Sequence, residues 1–301
     1  MRAVMCKNNP MREERLQVTL GGVRGSVPVS HPDFVRYGGA TTSVLVDAGN
    51  AGCLVLDAGT GIRSFHERLA VAGAAQPVLL LLTHFHMDHL IGLPAFAPLY
   101  DPAWRVLLAA PLCGGMSAGR AVRRLVGPPF WPVRIGARVR NVTLPVPCGT
   151  VPFRHGPFDV RWCAVHHTGG CYAYRVDVRD TGASLVFATD VEWGGSRARE
   201  RAALLRLCRT PKPADVLIFE GPDDGKSRAG WGHSAWQDAV QVAQTTGAGL
   251  LVVTHFSPDD DDATLARREK RLRAVLPQAR FGRQGMRMIW KADGNTPRIV
   301  V

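Results

Sequence analysis

Short runs of consecutive apolar residues recur along this chain, at 44–47, 53–56, 78–82, 106–109, 185–188, 213–220 and 250–254. Runs of this length, without alternation, have the pattern of strands buried on both faces. Between them, residues 62–72, 116–125, 197–207, 235–240 and 263–276 carry apolar positions at helical spacing. The first half therefore reads strand, strand, strand, helix, strand, helix, and the chain as a whole reads α/β.

The run at 78–82 delivers the densest chemistry. It ends on Thr83-His84-Phe85-His86-Met87-Asp88-His89, and residues 90–93 resume apolar character around Gly92, which predicts a strand-to-helix loop. Residues two apart in extended chain project to the same side, so His84 and His86 can share one metal. Asp88 and His89 begin the next turn and face elsewhere, which gives room for a second. Three imidazoles and a carboxylate this close repel protons and one another without a cation, and the pattern reads as a metal site rather than a polar loop. A glycine-rich stretch, residues 21–28, follows the first strand and offers backbone amides to an anion or simply makes a tight turn.

The motif THFHMDH resembles the signature of the metallo-β-lactamase superfamily. That resemblance implies an αββα sandwich with a two-metal site at one sheet edge, and further ligands after later strands. The chain supplies Val165-His166-His167-Thr168-Gly169-Gly170, then Phe187-Ala188-Thr189-Asp190, then Val253-Thr254-His255-Phe256, in the order the family requires. Carried over, His84, His86 and His167 hold one metal, Asp88, His89 and His255 the other, and Asp190 bridges them. His166 is then a neighbour that supports the ligands or faces substrate. The segments Arg24-Gly25-Ser26, Tyr37-Gly38-Gly39 and Asp57-Ala58-Gly59-Thr60-Gly61 match one branch of the family, in which Asp57 is the buried carboxylate that orients metal ligands. Gly230-Trp231-Gly232-His233-Ser234 and Thr254-His255-Phe256-Ser257-Pro258 resemble ribonuclease Z and its phosphodiesterase relatives. By that likeness His233 is the non-ligand catalytic histidine, Asp88 is catalytic as well as a ligand, and Arg24 and Ser234 are expected against the substrate. Glu220 stands where related sequences carry an aspartate.

The chemistry implied is hydrolysis of a phosphodiester by a hydroxide bridging two divalent ions, with His233 protonating the departing alkoxide. Zinc is the first expectation from an imidazole-rich donor set, and manganese or iron also suit it. A small or cyclic nucleotide is the expected substrate, because the glycine- and lysine-rich arm that ribonuclease Z uses to grip tRNA has no counterpart in this sequence. A tRNA 3′-processing endonuclease is the alternative, with residues 128–140 in place of the arm. The third reading is a non-catalytic nucleotide-binding member, which the complete ligand set opposes. The family also implies a homodimer.

Composition changes this picture little. The 301 residues, 46% hydrophobic and 21% charged, describe a soluble chain with enough material for a full core. Residues 84 to 255 must converge on one site and no long Pro/Ser/Gly linker separates them, so a single domain over 16–301 is expected behind a flexible lead-in at 1–15. The net charge of +12, from 37 Lys+Arg against 25 Asp+Glu, is scattered rather than run together. It fits an anionic substrate and an ordinary basic surface equally. Arg120, Arg123 and Arg124 precede an aromatic, proline-rich stretch at 128–133, a pairing able to meet a base and a phosphate or to form a packed cap. The seven cysteines form no CxxC pair, as expected of reduced thiols in a cytoplasmic protein. No signal peptide or membrane span is visible in the sequence.

Overall fold

The computed structural model describes residues 14–72, 77–148, 151–222, 232–291 and 296–301. Most of the predicted lead-in lies outside them. The first strand already begins at Glu14, so residues 14 and 15 belong to the fold.

The chain builds one sheet, then a second, then returns to the first. Strands β1 (Glu14–Gly22), β2 (Ser43–Asp47), β3 (Cys53–Leu56), β4 (Val78–Leu81), β5 (Val106–Ala110) and β6 (Val139–Thr143) are laid down in order across the first sheet. β7 (Phe153–His155), β8 (Phe158–Val165), β9 (Cys171–Val178), β10 (Ala183–Ala188), β11 (Val216–Glu220), β12 (Leu250–Thr254) and β13 (Ala279–Phe281) do the same across the second. β14 (Arg287–Lys291) then pairs with β1, and β15 (Arg298–Val300) with β14, closing the first sheet at eight strands. What reads in sequence as one closing strand at 281–289 is thus two strands in different sheets, separated by a turn in which Gly285 has φ 86°.

The continuous apolar runs have a direct explanation in the two cores. Val44, Val46, Leu54, Leu56, Leu79 and Leu81 join the large core shared with the second sheet, while Leu45, Val55 and Leu80 pack with Phe65, Leu69, Ala118 and Val122. Those last residues belong to or flank α1 (His66–Ala72) and α2 (Ala118–Leu125), which cover the outer face. α3 (Ala198–Arg209), α4 (Trp236–Thr246) and α5 (Asp262–Val275) cover the second sheet through Leu204, Val242 and Leu265. The layers are helix, sheet, sheet, helix, the αββα sandwich the motif implied. A strand covered on both faces has no polar side to alternate with.

Two local expectations are revised. Residues 60–65 form a 3-10 turn before α1 rather than its first turns; Gly61 lies so close to Gly21 that a Cβ would meet its carbonyl carbon at 2.4 Å. After the His/Asp motif the chain makes three 3-10 turns, Met87–His89, Leu93–Ala95 and Ala97–Leu99, instead of a helix. Pro94 and Pro98 lack the amide hydrogens that an α-helix would need there.

Candidate metal centre

Strands β3 to β6 run parallel to one another, and so do β10 to β13. Their carboxyl ends, with that of β8, release the charged residues of one cluster. Asp57 follows β3, the His84–His89 motif follows β4, His167 follows β8, Asp190 follows β10, Glu220 ends β11 and His255 follows β12. Three of these turns are sharp enough to put non-glycine residues in left-handed backbone: Asp57 at φ 56°, Asp190 at 58° and His255 at 62°. Such conformations cost on the order of 1–3 kcal/mol each and persist where the surroundings fix them.

The donor atoms form two groups, and Asp190, His233 and His255 make a third, overlapping set whose atoms also lie within 4.8 Å of one another. In the first, His84, His86, His167 and Asp190 offer atoms that all lie within 4.8 Å of one another. Nε2 of His167 is 3.1 Å from Nδ1 of His86 and 3.6 Å from Oδ1 of Asp190, and Nε2 of His84 is 3.9 Å from the same oxygen. In the second, Nε2 of His89 lies 3.2 Å from Nε2 of His255 and 3.2 Å from Oδ2 of Asp88. The other oxygen of Asp190, Oδ2, is 3.0 Å from His89 and 3.2 Å from His255. Asp190 therefore presents one oxygen to each group.

The surroundings prepare these nitrogens as lone-pair donors. Thr83 donates from its amide to Asp57 Oδ1 (2.7 Å) and from its hydroxyl to Asp57 Oδ2 (2.8 Å). With its hydrogen so engaged, Thr83 Oγ1 can only accept from His84 Nδ1 at 3.0 Å, which leaves His84 Nε2 unprotonated. His89 Nδ1 donates to the same Asp57 Oδ2 at 2.7 Å, and His167 Nδ1 to the carbonyl of Gly232 at 2.8 Å. Carboxylates and carbonyls behind imidazoles fix tautomer and ring orientation in this way at metal sites.

Donor chemistry and burial agree with divalent metal binding. Nε2 of His84 and Oδ2 of Asp190 are buried without a hydrogen-bond partner, a costly condition for a polar atom unless a metal completes it. Burial, then the charge of His89, holds His84 well below its ordinary pKa. Burial pulls His89 down too, but the carboxylates of Asp190, Asp88 and Asp57 outweigh it and raise His89 well above its ordinary value, so a metal there would take the place of the His89 proton. Burial alone would raise the carboxyls of Asp88 and Asp190; the imidazoles of His89 and His255 outweigh it and hold both well down. Such a site needs anionic carboxylates and neutral imidazole nitrogens.

His233 stands beside the two groups. Its Nδ1 is 2.8 Å from Glu220 Oε2 and 3.9 Å from Asp190 Oδ1, and its side chain is partly open to solvent. Burial pulls the imidazole down, but the hydrogen bond and charge of Glu220 lift it to about 9. Glu220 itself is fully buried, which raises its carboxyl, and its second oxygen accepts from the amide of Val191 directly after Asp190. One carboxylate thus holds both the partner histidine and the loop that carries the bridging aspartate. The sequence marked Glu220 only as a departure from aspartate.

Two residues expected at the substrate are elsewhere. Arg24 is wholly buried, with Nε on the carbonyl of Gly38 and Nη1 on those of Ser257 and Asp260, so it stitches backbone together and meets no ligand. Ser234 is buried too; its hydroxyl donates to Val191 O and accepts from Trp193 N. Both corrections have one cause, since their polar groups satisfy buried backbone that only the folded chain reveals. From the glycine-rich stretch, it is the amide of Ser26 that meets an anion, and that anion is Asp88 (2.8 Å). His166 is not part of either donor group; its Nδ1 is 3.6 Å from Glu200 on α3. Gly230 and Trp231 of the GWGHS motif lie outside the described residues.

Next to His84 and His86 opens a cavity of about 510 Å³, lined by Phe85, Met87, Leu90, Met116, Leu125 and Phe130 among others, with Arg124 at its wall. Arg124 and Phe130 come from the arginine-bearing helix and aromatic stretch singled out in the sequence; Arg120 and Arg123 do not line it.

An αββα sandwich with adjoining imidazole and carboxylate clusters at one sheet edge defines a metal-dependent hydrolase. The chain belongs to the beta-lactamase superfamily domain family, whose model matches residues 42–256. Ribonuclease Z of Mycobacterium tuberculosis is 29% identical over 252 residues, covering 81% of this chain and 86% of that protein. The metallo-beta-lactamase fold protein YhfI from Bacillus subtilis superposes with a TM-score of 0.64 at 18% identity, over 90% of this chain and 98% of that one. A diphosphatase of the PhnP family does so with a TM-score of 0.63 at 18% identity, over 92% and 98%. At these identities the structural likeness is one of fold.

Proposed function

We propose that this protein hydrolyses a small phosphodiester, a cyclic nucleotide or similar cyclic or organic diester, at a centre of two divalent ions. The observation that carries the reading is the Glu220–His233 pair set 3.9 Å from the bridging Asp190. A proton donor held there serves a poor alkoxide leaving group, whereas a thioester, whose thiolate leaves readily, needs no separate donor of that kind.

His84, His86 and His167 would hold one ion, Asp88, His89 and His255 the other, with Asp190 between. When bound, two such ions supply an activated water at neutral pH and neutralise charge on the phosphoryl oxygens. The protein's own groups do the remainder. Asp57 and Thr83 keep the imidazoles aimed inward, Ser26 fixes Asp88, and Glu220 stabilises the His233 imidazolium, which passes its proton to the leaving oxygen and is then reprotonated from solvent. Zinc is the favoured ion on the imidazole-rich donor set.

A second reading, tRNA 3′ processing, draws support from the 29% identity to ribonuclease Z. Against it, the described residues between Asp190 and His255 form α3, β11, α4 and β12, with no connecting stretch among them longer than the seven residues 191–197 and no extended arm. We extend the proposal to a homodimer in the cytoplasm. Six cysteines are free thiols, in keeping with a reducing compartment, and no helix among the described residues is long and apolar enough to cross a membrane.

The test is turnover by zinc- or manganese-loaded protein of a panel comprising 2′,3′- and 3′,5′-cyclic nucleotides, bis(p-nitrophenyl) phosphate and a 3′-extended tRNA, with Asp88→Ala as blank. Hydrolysis of the small diesters without tRNA cleavage is expected. Cleavage confined to tRNA would move the assignment to the second reading.

A further inference from the structure

The cavity beside the centre has a chemical character that phosphodiester hydrolysis by itself does not demand. It begins at His84 and His86 and runs between Met87, Met116, Leu125 and Phe130, with Arg124 its one cationic wall residue among the described residues besides the two histidines. Met87 is 55% and Phe130 76% exposed, so two large apolar side chains stand in water at the rim of a charged centre. An exposed apolar surface adjoining a concave site marks where an apolar part of a ligand is received. Beyond His84, His86 and Arg124, the polar side chain in the lining is the thiol of Cys113, which is turned to the Thr83 carbonyl 3.8 Å away. Outside the two histidines, Arg124 is the one side chain of the described lining with hydrogen-bond donors for a base edge or a phosphate, and apart from that thiol the rest of the lining is apolar.

The cavity also lies to one side. His233 is not among its lining residues; its ring lies between those of His255 and His167, with centroids 5.2 and 5.6 Å away. In an in-line displacement, water adds its oxygen to phosphorus and yields a proton to solvent, while the opposite P–O bond breaks and its electron pair stays on the leaving oxygen. That oxygen takes the proton of His233 and belongs on the His233 side. The other ester group remains on phosphorus and needs a different place.

We propose that the cavity receives this retained ester group, and that the preferred group is apolar, aryl or alkyl, selected by apolar area rather than by base identity. The inference rests on the phosphodiester reading above. A series of p-nitrophenyl phosphodiesters with one leaving group and a methyl, hexyl, phenyl or thymidine-5′ retained group tests it on metal-loaded protein. The expected result is a kcat/KM about tenfold or more higher for phenyl and hexyl than for methyl, mainly through KM. In the double variant Met87→Ser/Phe130→Ser the phenyl-to-methyl ratio should fall towards one. Equal kcat/KM across the retained groups, or a ratio untouched in a folded double variant, overturns the proposal. Binding of phenylphosphonate and methylphosphonate by calorimetry gives a readout without turnover. If no diester is hydrolysed, the phosphodiester reading fails, yet tighter phenylphosphonate binding that the double variant abolishes still assigns the cavity, and equal binding removes that assignment too.

Discussion

Glu220 shows how much one buried side chain can determine here. Its two oxygens reach the amide of Val191 and the imidazole of His233, 29 and 13 positions away in sequence, so no local pattern announces the role. Glu220→Gln keeps the size and one acceptor but removes the charge facing His233. We expect it to retain metal and to lower kcat on an alkyl leaving group by about 10- to 100-fold, with a much smaller effect on a p-nitrophenyl ester. A uniform loss on both substrates would place its role in structure alone. Asp57→Asn acts on the ligands instead, since Asp57 takes hydrogen bonds from Thr83 and His89; zinc affinity should fall by about 10- to 100-fold, measured by competition with a chelating dye. Ser234 was expected at the substrate and is bonded to Val191 and Trp193. Ser234→Ala removes the hydroxyl that links Val191 and Trp193, while the Trp193 amide keeps its bond to the Val191 carbonyl, and should cost about 1 kcal/mol in urea unfolding without changing KM, whereas a raised KM with intact stability would restore the substrate role.

Elements were legible where burial on both faces makes a strand announce itself. The run at 53–56 coincides with β3 and those at 78–82 and 250–254 differ from β4 and β12 by at most a residue at the end, because a strand between two cores cannot alternate. Most of the candidate ligands stand out for a related reason, as His84 to His89 follow the run at 78–82, Asp190 that at 185–188 and His255 that at 250–254, whereas His167 follows β8, whose positions alternate, and is reached through the family resemblance. Less was visible where tertiary contact decides: the 3-10 turns after β4, the division of 281–289 between two sheets, and the burial of Arg24 all depend on what the chain packs against. The loop after β1 is a case in point. Gly25 lies so near His255 that a Cβ would stand 2.3 Å from the imidazole, and neighbouring Ser26 holds Asp88. Gly25→Ala should therefore displace His255 and cost the second-group metal, read as a fall from two ions towards one per chain by elemental analysis. Two tightly bound ions in this variant would show that the loop can yield and that its closeness to His255 is incidental.

At the scale of the whole molecule the donors come from both sheets. His84, His86, Asp88 and His89 follow a strand of the first, while His167, Asp190 and His255 follow strands of the second, so bound ions would tie the two sheets at one edge. There the buried Nε2 atoms of His89 and His255 face each other at 3.2 Å, with carboxylate oxygens of Asp88 and Asp190 within 3.3 Å of both. Metal binding to the folded chain alone contributes about 2.7 kcal/mol when free ion is at 100 times Kd. For a chain of 301 residues, in which each kcal/mol moves the midpoint by about 2 °C, stripping one such ion with a chelator should lower Tm by roughly 5 °C and stripping two by roughly 10 °C. Asp190→Ala removes the carboxylate that faces both groups, so its Tm should respond far less to chelator or to added zinc. A wild-type Tm that is unmoved by demonstrated loss of metal would mean that the hydrophobic core between the sheets fixes this edge unaided, and that the ions serve chemistry without serving the fold.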